Sequence, residues 1–182
     1  MEIKSICVYC GSRDGADPAY LKDAIRIGSL LGQKGIQLIY GGARIGLMGA
    51  VADAALENGG KVIGVIPEEL IRNFEVSHQG LTQLIPVNSM HTRKKCMADM
   101  ADAFITLPGG VGSMDEHFEM MTWFHLRLHK KPMGLLNTGG FYNHLLSFVN
   151  HAVDQKFIDT PVRDHLIIRE SPDDLVQSLL SK

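Results

Sequence analysis

Cysteine is scarce in this chain. Only Cys7, Cys10 and Cys96 occur among 182 residues. Three thiols cannot build a disulfide framework of the kind that staples small secreted domains, so the expected setting is a reducing cytoplasm. Cys7-x-x-Cys10 has a redox or zinc spacing, but there is no second cysteine pair to complete a four-thiolate site. Cys7 is therefore read as strand core and Cys10 as a strand end. Excess charge is lacking too: 18 Lys and Arg against 20 Asp and Glu leave a net charge of −2. Without a basic surplus, nucleic acid is not expected as a bulk partner. No apolar run approaches the ~20 residues of a membrane span. The opening Met-Glu-Ile-Lys also lacks the charged-then-apolar pattern of a signal peptide. Two nucleotide signatures are missing. The first apolar run is followed by Gly11-Ser-Arg-Asp-Gly15, not Gly-x-Gly-x-x-Gly, and no P-loop pattern occurs. A nicotinamide dehydrogenase and a nucleoside triphosphatase are both disfavoured.

What is present is a regular alternation. Short apolar runs at 3–9, 36–40, 61–66, 103–107 and 133–136 read as strands, with weaker ones at 84–87 and 166–168. Helical patterns separate most of them. Asp17-Pro18 starts one, Ser89 caps another that runs to about residue 101, and Ser171-Pro172 starts the last. A helix rich in Gly49, Ala50, Ala52, Ala54 and Ala55 can approach a neighbouring backbone closely. Residues 68–80 read as a loop or irregular helix. Apolar strands alternating with helices predict a parallel sheet covered on both faces. The expected architecture is one α/β domain over 1–182, a three-layer, doubly wound, Rossmann-like fold.

The most informative stretch is Ala103-Phe-Ile-Thr-Leu-Pro-Gly-Gly-Val-Gly-Ser-Met-Asp-Glu116. A strand, a glycine turn and a helix start in that order leave bare N–H groups where an anion can sit. Two readings compete. Ser113-x-x-Glu116 fits a capping box, which would consume those donors. Alternatively, Gly109, Gly110, Val111, Gly112 and Ser113 cradle a phosphate and Glu116 is freed to face its ligand. The turns Gly11-Ser12 and Gly41-Gly42 also follow strands and mark a further pocket, with Met90 near it. Arg93-Lys94-Lys95 reads by default as a solvated face, although it feeds directly into the 103–116 unit. His125 and His129, four apart on a helix, lack a third metal ligand and are read as surface or dimer-face residues. Trp123 and the methionines at 97, 100, 114, 120 and 121 are read as core or interface packing. No metal is expected.

Pro108-Gly-Gly-Val-Gly-Ser-Met-Asp-Glu116 resembles the P-G-G-x-G-T-x-x-E signature of the LOG ("Lonely Guy") family. These are cytokinin riboside 5′-monophosphate phosphoribohydrolases, often labelled lysine decarboxylases. Tyr9 to Gly15, Tyr40 to Gly49, Met90 to Lys94, Thr122-Trp123 and Lys131 to Asn137 are similar to other family segments, in order along nearly the whole chain. The resemblance implies a Rossmann-like homodimer. It would cleave a nucleoside 5′-monophosphate, AMP or an N6-prenylated one, into free base and ribose 5-phosphate without a cofactor. It places a catalytic pair on Arg93 and Glu116. Substrate contacts fall on Glu75, Arg93, Lys94, the run Gly109, Gly110, Val111, Gly112, Ser113, Met114, Asp115 and Glu116, and Thr122. An alternative is a non-catalytic nucleotide sensor or carrier on the same scaffold. Nothing here looks like a pyridoxal-phosphate lysine site. Three departures stand out: Ser113 for the family's Thr, Ala43 for a glycine, and His125 and Arg127 for the frequent Gln and Gly.

Overall fold

The computed structural model describes residues 2–74 and 77–182. In chain order they form β1 (Ser5–Tyr9), α1 (Pro18–Gln33), β2 (Gln37–Tyr40), α2 (Gly46–Glu57), β3 (Val62–Pro67) and α3 (Glu68–Phe74). There follow β4 (Gln83–Val87), α4 (Met90–Met100), β5 (Ala103–Thr106), α5 (Val111–His125) and β6 (Met133–Leu136). The chain ends with α6 (Asn143–Asp154), α7 (Thr160–His165), β7 (Leu166–Arg169) and α8 (Pro172–Leu180). The seven strands found among the described residues form one sheet in the order β4-β3-β2-β1-β5-β6-β7, and every pairing is parallel.

The sequence alternation sorts into two layers. Ile6, Val8 and Cys10 point to the layer of α1, α2 and α8. Cys7 and Tyr9, between them, point to the layer of α4, α5 and α6. This is the period-2 rule of a strand buried on both faces. The small residues of α2 serve α1: a Cβ on Gly28 would lie 2.3 Å from the Val51 carbonyl oxygen, and one on Gly32 would lie 2.6 Å from that of Ala55. The two helices therefore touch backbone to backbone. Helix starts follow local chemistry, with Asp17, Ser89 and Ser171 each accepting a hydrogen bond from a first-turn N–H.

Four expectations need adjustment. Residues 68–74 form α3, so this part of the ambiguous segment is helical. A short helix, α7, appears where none was expected. It is six residues long, begins at an Asp159-Thr-Pro161 start, and is too short to show a 3.6-residue period. The helical pattern over residues 141–154 predicts a helix from Phe141, but a 3-10 turn at Thr138–Gly140 delays the start of α6 to Asn143. Finally, α5 stops at His125 and Arg127 adopts a left-handed φ of 60°, so His129 is off the helix. It is not a surface group either: Nε2 bonds the Met120 carbonyl and Nδ1 accepts from Lys131 N–H. Among the described residues no helix is long and apolar enough to cross a membrane.

The sheet winds outward in both directions from its middle. From β1 the chain proceeds to β2, β3 and β4 on one side; β5 sits against the other side of β1 and leads to β6 and β7. At that switch point a crevice opens outside the carboxyl ends of the strands, bordered by the loops leaving β1 and β5.

Candidate active site

The crevice holds a cavity of about 620 Å³. The β1 loop (Cys10 to Gly15) and the β5 loop (Pro108 to Ser113) form its floor. The start of α2 (Leu47, Met48), Met90 and Arg93 of α4, and the rings of Tyr20 and Phe141 complete the wall. The loops are tied together by main chain. Gly11 N–H donates to the Pro108 carbonyl at 3.1 Å, and Met48 N–H donates to the Gly11 carbonyl at 3.3 Å. Gly46, at φ +60°, lies so close that a Cβ would fall 2.3 Å from Arg13 N. A side chain there would push the first loop into the cavity.

The capping-box reading of Ser113 and Glu116 fails here. Helix α5 begins three residues earlier, with Gly110 at the N-cap and no side-chain cap bond. The first helical bond runs from Met114 N–H to the Gly110 carbonyl at 3.1 Å. The N–H groups of Val111, Gly112 and Ser113 precede it, have no intrahelical acceptor, and open on the cavity. Ser113 is buried against Gly109, where a Cβ would come within 2.2 Å of its Oγ.

Glu116, freed from capping, is buried and accepts a hydrogen bond from Arg93 Nη1 at 2.9 Å. Arg93 is equally buried, so the solvated-face reading does not hold for it. Its Nε donates to the Val65 carbonyl at 3.0 Å and its Nη2 to the Gly41 carbonyl at 3.3 Å. The ends of β2 and β3 thus hold the guanidinium, and Glu116 completes its shell. Lys94 is buried as well. Its Nζ lies 3.0 Å from Asp115 Oδ2 and 3.3 Å from Glu119 Oε2. Among the described residues this buried oxygen has no hydrogen-bond partner, and the Lys94 ammonium balances its charge. Lys95 alone of the three cations is a solvated group, paired with Asp99 one turn along.

Burial raises the Glu116 carboxyl above the ordinary range, and Asp115 adds to this; Arg93 and Lys94 pull it down without cancelling the rise. Burial also works against the Lys94 ammonium, but Asp115 and Glu119 outweigh it and hold its pKa above the ordinary lysine value. His117, next to Glu116, is lowered to about 4 by burial, and its Nδ1 bonds Thr106 Oγ1 at 2.9 Å. Burial pushes both the Cys7 and Cys10 thiols far up, which suits core residues and not nucleophiles.

Of the expected site residues, Gly11, Ser12, Met90, Arg93, Gly109, Gly110, Val111, Gly112, Ser113, Asp115 and Glu116 line the cavity. Gly41 and Gly42 do not. Gly41 stands behind Arg93, where a Cβ would lie 1.9 Å from Nη2, and Gly42 packs on Ile66. The second glycine turn therefore seats the arginine and does not form a pocket. Lys94, Met114 and Thr122 also lie outside the lining, and the Thr122 hydroxyl donates to the Phe118 carbonyl. Glu75 falls outside the described residues. Arg13, Tyr20, Leu47, Met48 and Phe141 were not foreseen. Glu119 was also missed, though it lies one helical turn beyond Asp115 and Glu116 on the same side of α5. Among the described residues no cluster of three or more His, Cys, Asp or Glu is placed to hold a metal ion.

A family described as "possible lysine decarboxylase" matches residues 48–179. The cytokinin riboside 5′-monophosphate phosphoribohydrolase of Rhodococcoides fascians is 47% identical over 165 residues, 91% of this chain and 83% of the relative. The enzyme of that name called LOG, from Oryza sativa subsp. japonica, is 46% identical over 97% of this chain and 72% of its own length. The chain belongs to the LOG family. Solved structures extend the likeness of the LOG fold beyond these sequences. The molybdenum cofactor binding protein of Rippkaea orientalis superposes with a TM-score of 0.75 at 23% identity, covering 100% of this chain and 98% of that one. The molybdenum cofactor carrier protein of Chlamydomonas reinhardtii gives 0.74 at 22% identity, with 98% of each chain covered. At such identity only the LOG-type fold is shared. The LOG signature itself falls on the β5–α5 turn and on the buried Arg93–Glu116 pair.

Proposed function

We propose that this LOG-family protein hydrolyses the N-glycosidic bond of a nucleoside 5′-monophosphate, a cytokinin riboside 5′-monophosphate or AMP. The observation that carries this reading is the buried Arg93–Glu116 pair beside the uncapped start of α5, both facing one cavity. The 5′-phosphate sits on the N–H groups of Val111, Gly112 and Ser113, where the helix end favours an anion. Fixing the phosphate fixes the ribose. Glu116 then faces a sugar that gains positive charge as the bond to the base lengthens, and its carboxylate stabilises that charge or orients the attacking water. The bond from C1′ to the base nitrogen breaks and one from C1′ to the water oxygen forms. One water proton ends on the base, leaving ribose 5-phosphate. Arg93 holds Glu116 in place and tempers its raised pKa.

The active form is a homodimer with sites near its interface. The exposed apolar side chains of Val111 at the start of α5 and of Leu126 and Leu128 beyond its end support this. Sedimentation of the purified protein at twice the chain mass is the expected result. The compartment is cytoplasmic, in keeping with three free thiols. Lys94, Met114 and Thr122 contact substrate only through such an assembly or after rearrangement; Glu75, the remaining expected contact, lies outside the described residues.

The test is incubation with AMP and with isopentenyladenosine monophosphate, scoring free base by chromatography. The wild type should release base, and Glu116→Ala should lower the rate by at least about 100-fold. Tight nucleotide binding with no base from either substrate would replace the hydrolase with a nucleotide sensor or carrier.

A further inference from the structure

Tyr142 has no part in the reaction just proposed, yet it is tied to the site. It precedes α6, is 3% exposed, and packs in the layer of α4, α5 and α6. Its hydroxyl donates to the Leu107 carbonyl at 2.7 Å. Tyr142 is itself anchored at the carboxyl end of β6, since its N–H donates to Asn137 Oδ1 at 2.7 Å and Asn137 Nδ2 donates to Asn143 Oδ1 at 2.9 Å. The rest of the turn is also committed: Leu107 N–H to the Tyr9 carbonyl, and the Pro108 carbonyl to Gly11 N–H. Both main-chain groups of Leu107 and the Pro108 carbonyl are therefore used up. The uncommitted N–H groups begin at the start of α5.

We infer that Tyr142 is a positioning residue: through its hydroxyl it holds the Pro108–Gly110 turn so that the α5 N–H groups converge on the 5′-phosphate. This rests on the phosphate reading above. Phenylalanine keeps the ring but leaves the Leu107 C=O without this donor, and that peptide rotates to find another partner. Donors that were aimed in advance then lose their alignment.

The test compares Tyr142→Phe with Tyr40→Phe, a control in which the hydroxyl lost from a fully buried ring has no hydrogen-bond partner among the described residues. Ribose 5-phosphate binding is measured by calorimetry, and kcat/KM is measured for AMP and for phosphate-free adenosine. Tyr142→Phe should weaken ribose 5-phosphate binding by about tenfold, the scale of one lost hydrogen-bond network, and lower kcat/KM for AMP far more than for adenosine. Tyr40→Phe should leave both unchanged. Wild-type affinity in Tyr142→Phe, or equal losses on AMP and adenosine, would overturn the inference. If the wild type binds no ribose 5-phosphate, the phosphate reading itself fails and this inference with it.

Discussion

A buried guanidinium is tolerable only when its donors are used, and Arg93 uses three: two on the carbonyls of Val65 and Gly41 and one on Glu116. The arginine is thus built into the sheet edge before any ligand arrives. Gly41→Ala should displace it, because the new Cβ would lie 1.9 Å from Nη2. A misplacement on the ångström scale predicts a fall in kcat/KM of about 100-fold with the fold retained, checked by circular dichroism alongside the assay. The charges around Glu116 make a second prediction with opposite signs. Asp115 raises the Glu116 pKa and Lys94 lowers it. If ionised Glu116 does the work, the acid limb of kcat/KM should move to lower pH in Asp115→Asn and to higher pH in Lys94→Ala. Shifts in the same direction would dissociate Glu116 from that limb. At this scale the sequence was half legible. The family resemblance singled out Arg93 and Glu116, but their pairing spans 23 positions and no local pattern encodes it. The burial of Lys94 was hidden for the same reason: its partners come from another helix.

Among the elements, α5 shows how a good local pattern can be overruled. Ser113-x-x-Glu116 satisfies the capping box on paper, yet the helix starts at Val111 because Gly110 is extended and Arg93 claims Glu116. Three other helices carry side-chain caps while α5 leaves its N-terminal donors open. That predicts a trade between stability and function at one residue. Gly110 has φ −96°, open to any L residue, and a Cβ there meets nothing within 4 Å. Gly110→Asp should cap α5 and stabilise the protein by about 0.5 kcal/mol, from the cap and the helix dipole together. On the proposed phosphate reading the same carboxylate would take the anion's place, so KM for the monophosphate should rise by at least about tenfold, the scale of one charge-assisted hydrogen bond lost. Urea unfolding and steady-state kinetics on the same preparation check both halves. A stabilised variant with unchanged KM would place the phosphate elsewhere. The strand–turn–helix order of this unit was legible from an apolar run ending in Pro-Gly-Gly. The residue at which the helix begins was not, because tertiary contacts decided it.

For the molecule as a whole, alternation of strand and helix was enough to foresee a parallel sheet with two covered faces, because a strand buried on both sides must be apolar throughout. The order β4-β3-β2-β1-β5-β6-β7 was not written in any segment, and neither was the switch point between β1 and β5 that puts the cavity where it is. The same packing isolates His117, which is 1% exposed and whose imidazole burial lowers from 6.5 to about 4. A base with a lower pKa in the folded state makes the unfolded chain the better proton acceptor between those values. Its contribution is therefore fully present above pH 6.5 and is lost as pH falls towards 4. The shift corresponds to about 3 kcal/mol. His117→Asn keeps an acceptor for Thr106 and cannot titrate, so its packing cost should not vary with pH. The stability difference between wild type and His117→Asn should thus shrink by about 3 kcal/mol between pH 7 and pH 4. Asp102, lowered by its bonds to Lys4 and Ser5 despite partial burial, loses its contribution at still lower pH, but it does so in both proteins and cancels from the difference. Urea unfolding at several pH values measures that difference directly. A gap that stays constant with pH would mean that His117 titrates normally, and that the layer beneath the Arg93–Glu116 pair is open to water.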